Sequence, residues 1–271
     1  MTDIPIVRPK SFIEFISMIE KFQKETSDSL WYRGCGLSKY LLLPTLYRHK
    51  TIKTIAELAK LEHDLMTRFR LRSIPFHGRS LEDDWDALFF MQHYRVPTRL
   101  LDWTENPFIA LYFALTGAHY KIGEDGKPEY KESAAVWILN PALWNKHALK
   151  HQSFEQRILV PGDVPLKGYK PTTDFSSMNI YPVALYGLHN SPRIVAQRGV
   201  FTVFGQKIKS MRYLYKANSF PKGSLMKVVL KGRYIREMRK AIFRHGITES
   251  VVFPDLDGLA LEIRRSFEFE V

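Results

Sequence analysis

The sequence predicts an α+β domain in which a single mixed or antiparallel sheet is flanked by helices. Helical patterns dominate the first part of the chain, and strand patterns mixed with helices follow them. This order differs from the regular strand–helix alternation that produces a parallel sheet. The chain also lacks the GxGxxG and GxxxxGK[ST] motifs. The Rossmann and P-loop folds, which bind nucleotides with those loops, are therefore disfavoured.

The first part of the chain is predicted to be mainly helical. Ser11 is the expected cap of the first helix, and Pro75 and Pro97 are expected to end the second and third helices. Thr104 is the expected N-cap of the fourth helix, since a proline follows near its start. Helices are thus predicted at residues 11–24, 55–72, 81–94 and 105–117, and strands or extended segments at residues 30–34 and 98–104.

Strands and helices are mixed in the second part of the chain. The uninterrupted apolar segment 134–139 is expected to be a central strand that is buried on both faces. Residues 120–133 are expected to form a hairpin-like excursion, and residues 151–182 a long surface loop. Further strands are predicted at residues 183–186, 200–205, 225–230 and 250–253, and helices at residues 141–150, 233–244 and 259–269.

Length and composition indicate one large domain. The 271 residues are 45% hydrophobic, which suffices for a sizeable core. The single cysteine, Cys35, excludes an intrachain disulfide and fits a reducing compartment, so a cytoplasmic location is expected. We see no apolar secretion signal, and no uncharged apolar run reaches the roughly 18 residues that a membrane span needs. We therefore expect no membrane insertion.

The positive charge is concentrated in one part of the sequence. The formal net charge is +12, and twelve Lys and Arg but only one acid, Glu237, lie between Lys207 and Arg244. We call residues 207–244 the basic stretch. Such asymmetry predicts contact with phosphate, either in a nucleic acid or in an anionic cofactor, or with another macromolecular target. A solvated basic face without a partner is the alternative.

Three motifs together are similar to one known family. They are YRG at residues 32–34, QHY through PTRLLDWT to ALYFA at residues 92–114, and GI with FPDLDG at residues 246–258. This set resembles the FRG domain, which is named for a Phe-Arg-Gly motif in which this chain has Tyr32. The resemblance extends over about residues 28–263. It assigns residues 1–27 to an N-terminal helix packed on an FRG-type domain of residues 28–271.

The order of the motifs is also similar, more distantly, to that of ADP-ribosyltransferases. That resemblance implies NAD as the substrate, an arginine that holds its diphosphate or ribose, and a carboxylate that stabilises the ribosyl cation. Arg33 would take the first role with Arg99 assisting, and Thr104 and Tyr94 would line the nicotinamide pocket. The implied NAD-binding residues are Arg33, Gly34, His93, Tyr94, Arg99, Asp102 and Thr104.

The identity of the catalytic carboxylate stays open at this point. Glu249 precedes the predicted strand 250–253, as the transferase glutamate does, but it lies one position earlier. A solvated loop residue is the alternative for Glu249. Asp255 and Asp257 are further candidates, and a site without a carboxylate is also compatible with the sequence. The predicted catalytic residues are thus Glu249, Asp257 and Arg33.

Several of these residues also have a purely structural interpretation. His93 can be a packing residue at a helix end, Thr104 a plain helix cap, and Asp257 the cap of the last helix. Arg99 and Asp102 are opposite charges three positions apart, and such a pair can fix a tight loop. Only the joint occurrence of the motifs favours the functional interpretation.

Three functional hypotheses follow. The first is an ADP-ribosyltransferase-like enzyme or NAD glycohydrolase, acting as a toxin or defence effector in bacterial or phage conflict. The second is a non-enzymatic nucleic-acid-binding module that uses the basic stretch, with Tyr213, Tyr215 and Tyr234 stacking on bases. The third is a nuclease or other phosphodiesterase in which Asp102 and Asp257 bind a metal, although no metal-ligand spacing is present. The target and the oligomeric state stay open.

Overall fold

The computed structural model describes residues 3–78, 80–124, 126–171, 173, 177–188 and 191–269. A seven-stranded sheet runs through the molecule in the order β1-β9-β6-β2-β3-β8-β7, and β4 and β5 form a separate small hairpin. Among the described strands of this sheet, β1 and β9 pair in parallel and the other pairs are antiparallel, so the sheet is mixed, and the α+β prediction is confirmed. The strands are β1 Ile6–Val7, β2 Trp31–Cys35, β3 Leu100–Thr104, β4 Lys121–Ile122, β5 Pro128–Glu129, β6 Ala134–Leu139, β7 Val183–Leu185, β8 Gly199–Val203 and β9 Leu225–Leu230.

Helices cover both faces of this sheet. They are α1 Phe12–Lys24, α2 Ile55–His77, α3 Asp84–His93, α4 Pro107–Thr116, α5 Pro141–Ala148, α6 Pro192–Ala196, α7 Met211–Ala217, α8 Gly232–Arg244, α9 Glu249–Val252 and α10 Leu256–Ser266. Short 3-10 helices lie at Leu46–Arg48, Lys150–Gln152 and Val164–Tyr169. One apolar core lies between the sheet and helices α2, α3, α5 and α7, and a second between the sheet and helices α1, α4 and α8.

The alternation of side chains along each strand produces these two cores. Trp31 of β2 belongs to the first core and its neighbour Tyr32 to the second, as successive strand residues point to opposite faces. In β6, Trp137 and Val136 divide in the same way. Every residue of β6 is buried, which confirms the prediction of a central strand.

The centre of the sheet is only loosely joined. β2 pairs with β6 over five residues, and β3 pairs with β8 over five residues. Between β2 and β3, however, the register contains a single pair, Tyr32 with Thr104. The two halves of the sheet therefore separate beyond that pair, and a gap opens between the two strands.

Two predicted elements are wrong. Helix α2 does not end before Pro75 but continues through it to a left-handed Gly78. Pro75 deprives the Leu71 carbonyl of its helical donor, but Leu71 lies on an exposed part of the helix where water can replace it. The predicted strand 250–253 is instead the helical turn α9. A four-residue apolar run has no period that separates a helical turn from a strand.

The N-terminal segment contributes to both the sheet and the second core. The strand β1, which the sequence did not reveal, pairs with β9, and α1 buries Phe12, Phe15 and Ile19. Ser11 caps α1 as predicted, accepting a hydrogen bond from the Glu14 amide. The domain boundary after residue 27 stays a prediction. Within the described ranges, no helix is long and apolar enough to cross a bilayer.

Candidate functional site

A pocket of about 550 Å³ lies in the gap between β2 and β3. Both strands contribute to it, β2 through Tyr32, Arg33 and Gly34 and β3 through residues 102–104. Helices α3, α4 and α6 complete the enclosure. The main pocket, as we call it, therefore exists because the two halves of the sheet separate there.

Arg33 and Asp102 face each other across the gap. The Arg33 guanidinium donates a hydrogen bond to the Asp102 carbonyl oxygen, and its Nη1 lies 3.6 Å from the Asp102 carboxylate. The sequence suggested that Asp102 pairs with Arg99, and this is wrong. In a strand, residues three apart point to opposite faces, whereas Arg33 lies on the neighbouring strand.

The Asp102 carboxylate is held in place by a second contact. Its Oδ1 accepts a hydrogen bond from Gln92 Nε2 at 2.8 Å, and Gln92 Oε1 accepts one from the Thr98 hydroxyl. The Asp102 side chain keeps 55% of its surface exposed, toward the pocket that it lines. Among the described residues, Asp102 is the only carboxylate lining the main pocket.

Arg99 does not belong to the site. Its side chain is buried, and its Nε donates to the Glu62 carboxylate at 2.6 Å. The burial lowers the pKa of Arg99, but the Glu62 carboxylate outweighs this and leaves the pKa raised. Arg99 thus joins α2 to the start of β3 and does not line the main pocket, and its role in NAD binding stays a prediction.

His93 lines the main pocket, whereas its neighbour Tyr94 does not. His93 Nδ1 lies 3.3 Å from the Ser191 hydroxyl. Burial, together with the nearby positive charge of Arg193, lowers the pKa of His93. The imidazole is therefore neutral at neutral pH. Tyr94 is largely exposed and lines an adjoining cleft rather than the main pocket, and its contact with nicotinamide stays a prediction.

Thr104 reaches the pocket as predicted but is not a helix cap. It is the last residue of β3, where its hydroxyl donates to the Gln197 carbonyl at 2.6 Å and accepts from the Asn106 amide at 3.0 Å. The cap of α4 is Asn106, which accepts from the Phe108 amide. Thr104 therefore joins β3 to the segment before β8.

Gly34 lines the pocket, but its need for glycine arises elsewhere. A Cβ at this position would lie 2.0 Å from the Ala110 carbonyl oxygen. Gly34 thus allows α4 to pack directly on β2. The close contact between α4 and β2 fixes the backbone at Gly34, and this backbone forms part of the pocket wall.

Sequence reasoning missed two arginines of the site. Arg95 and Arg193 line the main pocket and also the adjoining cleft of about 350 Å³. Arg95 follows α3 with a φ of 60°, which is unusual for a residue other than glycine. Arg193 lies far along the chain on α6, and no motif marked it. Its distance in sequence from the three motifs is the reason that the sequence did not point to it.

The predicted carboxylates near the C-terminus lie outside the pocket. Glu249 is buried and accepts two hydrogen bonds from Arg265 Nε, at 3.0 and 2.9 Å, so it is neither solvated nor aimed at a ligand. Asp257 is exposed in the first turn of α10, which Asp255 caps by accepting from the Gly258 amide. Neither residue lines the main pocket, and the catalytic role of Glu249 and Asp257 stays a prediction.

The basic stretch does not form one surface. Helix α7 packs against the first core and α8 against the second, on opposite faces of the sheet. Between them, Lys227 of β9 is buried, donates to the Ser38 carbonyl and lies 4.8 Å from the Trp137 ring centroid. Arg236 is also engaged, with the Pro128 carbonyl. The basic residues are thus consecutive in the sequence but do not form one continuous surface in the structure.

A metal site of the kind the third hypothesis requires is not seen. Within the described part of the chain, no group of three His, Cys, Asp or Glu side chains is arranged to hold a metal ion. Asp102 lines the main pocket and Asp257 does not. The two aspartates therefore do not share one site.

Comparison with known families agrees with the motif at Tyr32-Arg33-Gly34 and the segment around β3. Residues 28–121 match the FRG domain family model. Within this segment the chain is similar to the FRG domain. The matched part of the FRG domain contains β2, α3, β3 and α4, and so supplies most of the main pocket, while Arg193 lies beyond it. The resemblance beyond residue 121 stays a prediction. No curated protein and no solved structure matches the chain.

Proposed function

We propose that the main pocket binds NAD and that the protein cleaves the bond between nicotinamide and ribose. The single observation that carries this proposal is the composition of the gap between β2 and β3. Three arginines, Arg33, Arg95 and Arg193, line it together with one carboxylate, Asp102. Arginines bind phosphate through paired N–H donors, and a lone carboxylate can face a developing cation.

The volume and walls of the pocket fit such a ligand. A pocket of about 550 Å³ lies in the range of small-molecule sites. Phe113, which is half-buried, provides flat apolar surface for a nicotinamide or adenine ring, and the almost fully buried Trp103 and Phe201 complete the apolar wall. Arg33, which is fixed on a central strand, would contact the diphosphate. Arg33 thus sits on a rigid strand and Arg193 on a helix, whereas Arg95 lies in the turn after α3.

Asp102 replaces Glu249 as the proposed catalytic carboxylate. As the glycosidic bond breaks, its electron pair leaves with nicotinamide, and the ribose carbon becomes an oxocarbenium ion. The Asp102 carboxylate, oriented by Gln92, would stabilise that ion. Water or a target nucleophile then attacks the ribose carbon and loses a proton. With water, the products are ADP-ribose, nicotinamide and one proton.

His93 is the proposed acceptor of that proton. Its lowered pKa leaves the imidazole neutral at neutral pH, as a general base requires. Ser191 engages Nδ1, so Nε2 is the nitrogen that would accept the proton. His93 and Asp102 line the same pocket, and together they would supply the two functions that this reaction needs.

Free nicotinamide measured by chromatography after incubation with NAD tests the proposal. Asp102→Asn should still bind NAD in calorimetry but release nicotinamide at least about 100-fold more slowly. Arg33→Ala should weaken NAD binding about tenfold or more. Arg157→Ala, which removes the same charge from a surface pair with Asp163, is the matched control and should behave as wild type. Absence of both NAD binding and nicotinamide release by the wild type would refute the proposal.

Nucleic-acid binding by the basic stretch is the rival proposal. Its exposed Tyr213 and the basic residues of α7 and α8 support it, although they lie on two faces. A gel-shift assay with charge reversal at Lys209 and, separately, at Arg233 would test it. Loss of nucleic-acid retention in one variant, with no nicotinamide release by the wild type, would favour the binding module over the enzyme.

A further inference from the structure

Arg95 and Arg193 stand at the junction of two cavities. Both residues line the main pocket and also the adjoining cleft, which Ser191, Pro254 and Asp255 help to form. Arg33 lines only the main pocket. The two junction arginines are therefore placed to contact a group that projects from a ligand in the main pocket into the cleft.

The positive charges at this junction are not neutralised by ion pairs. Arg33 has an ion-pair partner in Asp102. Among the described residues, neither Arg95 nor Arg193 forms such a pair with a carboxylate. Burial and the nearby charge of Arg95 both lower the pKa of Arg193. Two like charges brought together repel each other, and a bound anion relieves that repulsion.

The carboxylates nearest to Arg193 already have other partners. Asp102 and Asp255 stabilise its positive charge at longer range. Asp102, however, accepts from Gln92 and pairs with Arg33. Asp255 accepts from the backbone amide of Gly258 at the start of α10. The guanidinium groups at the junction thus keep donors for a ligand.

The Arg193 side chain is held in position, and the Arg95 backbone has an unusual conformation. The Arg193 guanidinium lies 4.7 Å from the centroid of the Phe253 ring, so an aromatic face orients it. Arg95 adopts a left-handed backbone conformation with φ of 60°. Strained conformations of this kind persist where the surrounding structure imposes them and are common at ligand sites. At the junction, the Arg193 guanidinium is therefore partly buried and oriented, and the exposed Arg95 lies beside it.

We propose that Arg95 and Arg193 bind a phosphate monoester, in addition to the diphosphate assigned to Arg33. A monoester phosphate carries close to two negative charges and three acceptor oxygens, which two guanidinium groups can share. The monoester can belong to the nucleotide, as the 2′-phosphate of NADP does, or to a phosphorylated acceptor in the adjoining cleft. The choice between these sources rests on the proposed function, whereas the anion site itself does not.

Calorimetric titration with inorganic phosphate alone tests the anion site. Wild type should bind phosphate, and Arg95→Gln and Arg193→Gln should each weaken that binding about tenfold or more. Arg157→Gln is the control with the same charge change outside the junction and should bind as wild type does. Thermal melting monitored by circular dichroism establishes that each variant is folded. A wild type that binds no phosphate, or folded variants that bind it equally well, would overturn the proposal.

Parallel titrations with NAD and NADP then identify the source of the phosphate. Preference for NADP by about tenfold, abolished in Arg193→Gln, would assign the site to the nucleotide. Equal affinity for both, with phosphate and NAD bound simultaneously, would assign it to an acceptor. Phosphate binding that depends on Arg193 without any NAD or NADP binding would refute the proposed function but support the anion site. Cleavage of NAD without phosphate binding would support the proposed function but refute the anion site.

Discussion

The Arg99 guanidinium and the Glu62 carboxylate form an ion pair that is almost completely buried, with side chains only 1% and 0% exposed. The Glu62 carboxylate also accepts the backbone amide of Arg99 at 3.3 Å. The pair fixes the residue that precedes β3 to the long helix α2. Arg99 thus positions the strand that carries Asp102 without reaching the pocket itself.

Removal of one partner from this pair should strongly destabilise the fold. Glu62→Gln leaves the Arg99 charge buried without a counterion, and a loss of about 3–5 kcal/mol in the free energy of unfolding is expected. Urea denaturation followed by tryptophan fluorescence measures it. The double variant Glu62→Leu/Arg99→Met should lose less than Glu62→Gln alone, because no unpaired charge remains.

The control for this prediction is an exposed pair of the same chemistry. Glu237 pairs with Lys240 on the surface of α8, with both side chains more than half exposed. Glu237→Gln should change the free energy of unfolding by less than about 0.5 kcal/mol. Equal losses in the free energy of unfolding for Glu62→Gln and Glu237→Gln would show that the buried pair contributes no more to stability than an exposed one.

Replacement of Gly34 should disturb the contact between β2 and α4. The added Cβ of Gly34→Ala would lie 2.0 Å from the Ala110 carbonyl oxygen, a backbone atom that moves only with its helix. We expect a loss of about 1–3 kcal/mol in the free energy of unfolding. Gly199→Ala is the matched control, because its Cβ would meet a side-chain atom of Ile194 at 3.2 Å. A Gly34→Ala protein as stable as Gly199→Ala would contradict the packing argument.

The ionisation of His93 should report the charge of Arg193. Burial and Arg193 both lower the pKa of His93, so its midpoint in an NMR titration should lie below the usual value of about 6.5. Arg193→Gln should raise that midpoint, though not beyond the usual value, because burial persists. Arg157→Gln should leave it unchanged. An unaltered His93 midpoint in Arg193→Gln would show that the charge of Arg193 does not lower the pKa of His93.

The stability of the fold should decrease as the pH falls below neutrality. His93 and His147 both have lowered pKa values in the folded state, chiefly because of burial. Between the folded and the unfolded pKa, the unfolded chain binds more protons, so stability rises with pH there. The contribution is complete above about pH 6.5, the unfolded value, and is lost as the pH falls through the folded values.

Urea denaturation at steps between pH 7.5 and pH 5 measures this dependence. The double variant His93→Gln/His147→Gln should show a smaller decrease over the same range, since both titrating groups are removed. A wild type whose free energy of unfolding stays constant or increases as the pH falls would contradict the predicted direction of this dependence.

Glu249 should affect folding rather than chemistry. Its carboxylate holds Arg265 and thereby joins α9 to α10. Glu249→Gln should lower the free energy of unfolding by about 1–3 kcal/mol, the cost of weakening a buried charged hydrogen bond. The folded fraction should release nicotinamide as wild type does. A stable Glu249→Gln protein that has lost this release would return Glu249 to the catalytic role and remove Asp102 from it.

Local chemistry allowed most elements to be predicted. Ser11 and the spacing of apolar residues define α1, and the uninterrupted run from Ala134 to Leu139 identifies a central strand, because burial on both faces requires it. The prediction was wrong where local patterns are ambiguous. The turn at residues 249–252 and the proline within α2 depend on surrounding contacts and on solvent exposure that the sequence does not show.

The sequence by itself determined the α+β class, the FRG motifs and the clustering of polar residues around β3. Only the tertiary structure decided which of these residues face one another. It pairs Asp102 with Arg33 rather than Arg99, and it places Arg193 in the same pocket as Tyr32, which is far from it in sequence. The physical reason is that strand order and the separation of β2 from β3 are set by packing on both faces of the sheet. Residues that face each other across that gap are distant in sequence, so no local sequence pattern predicts their contact.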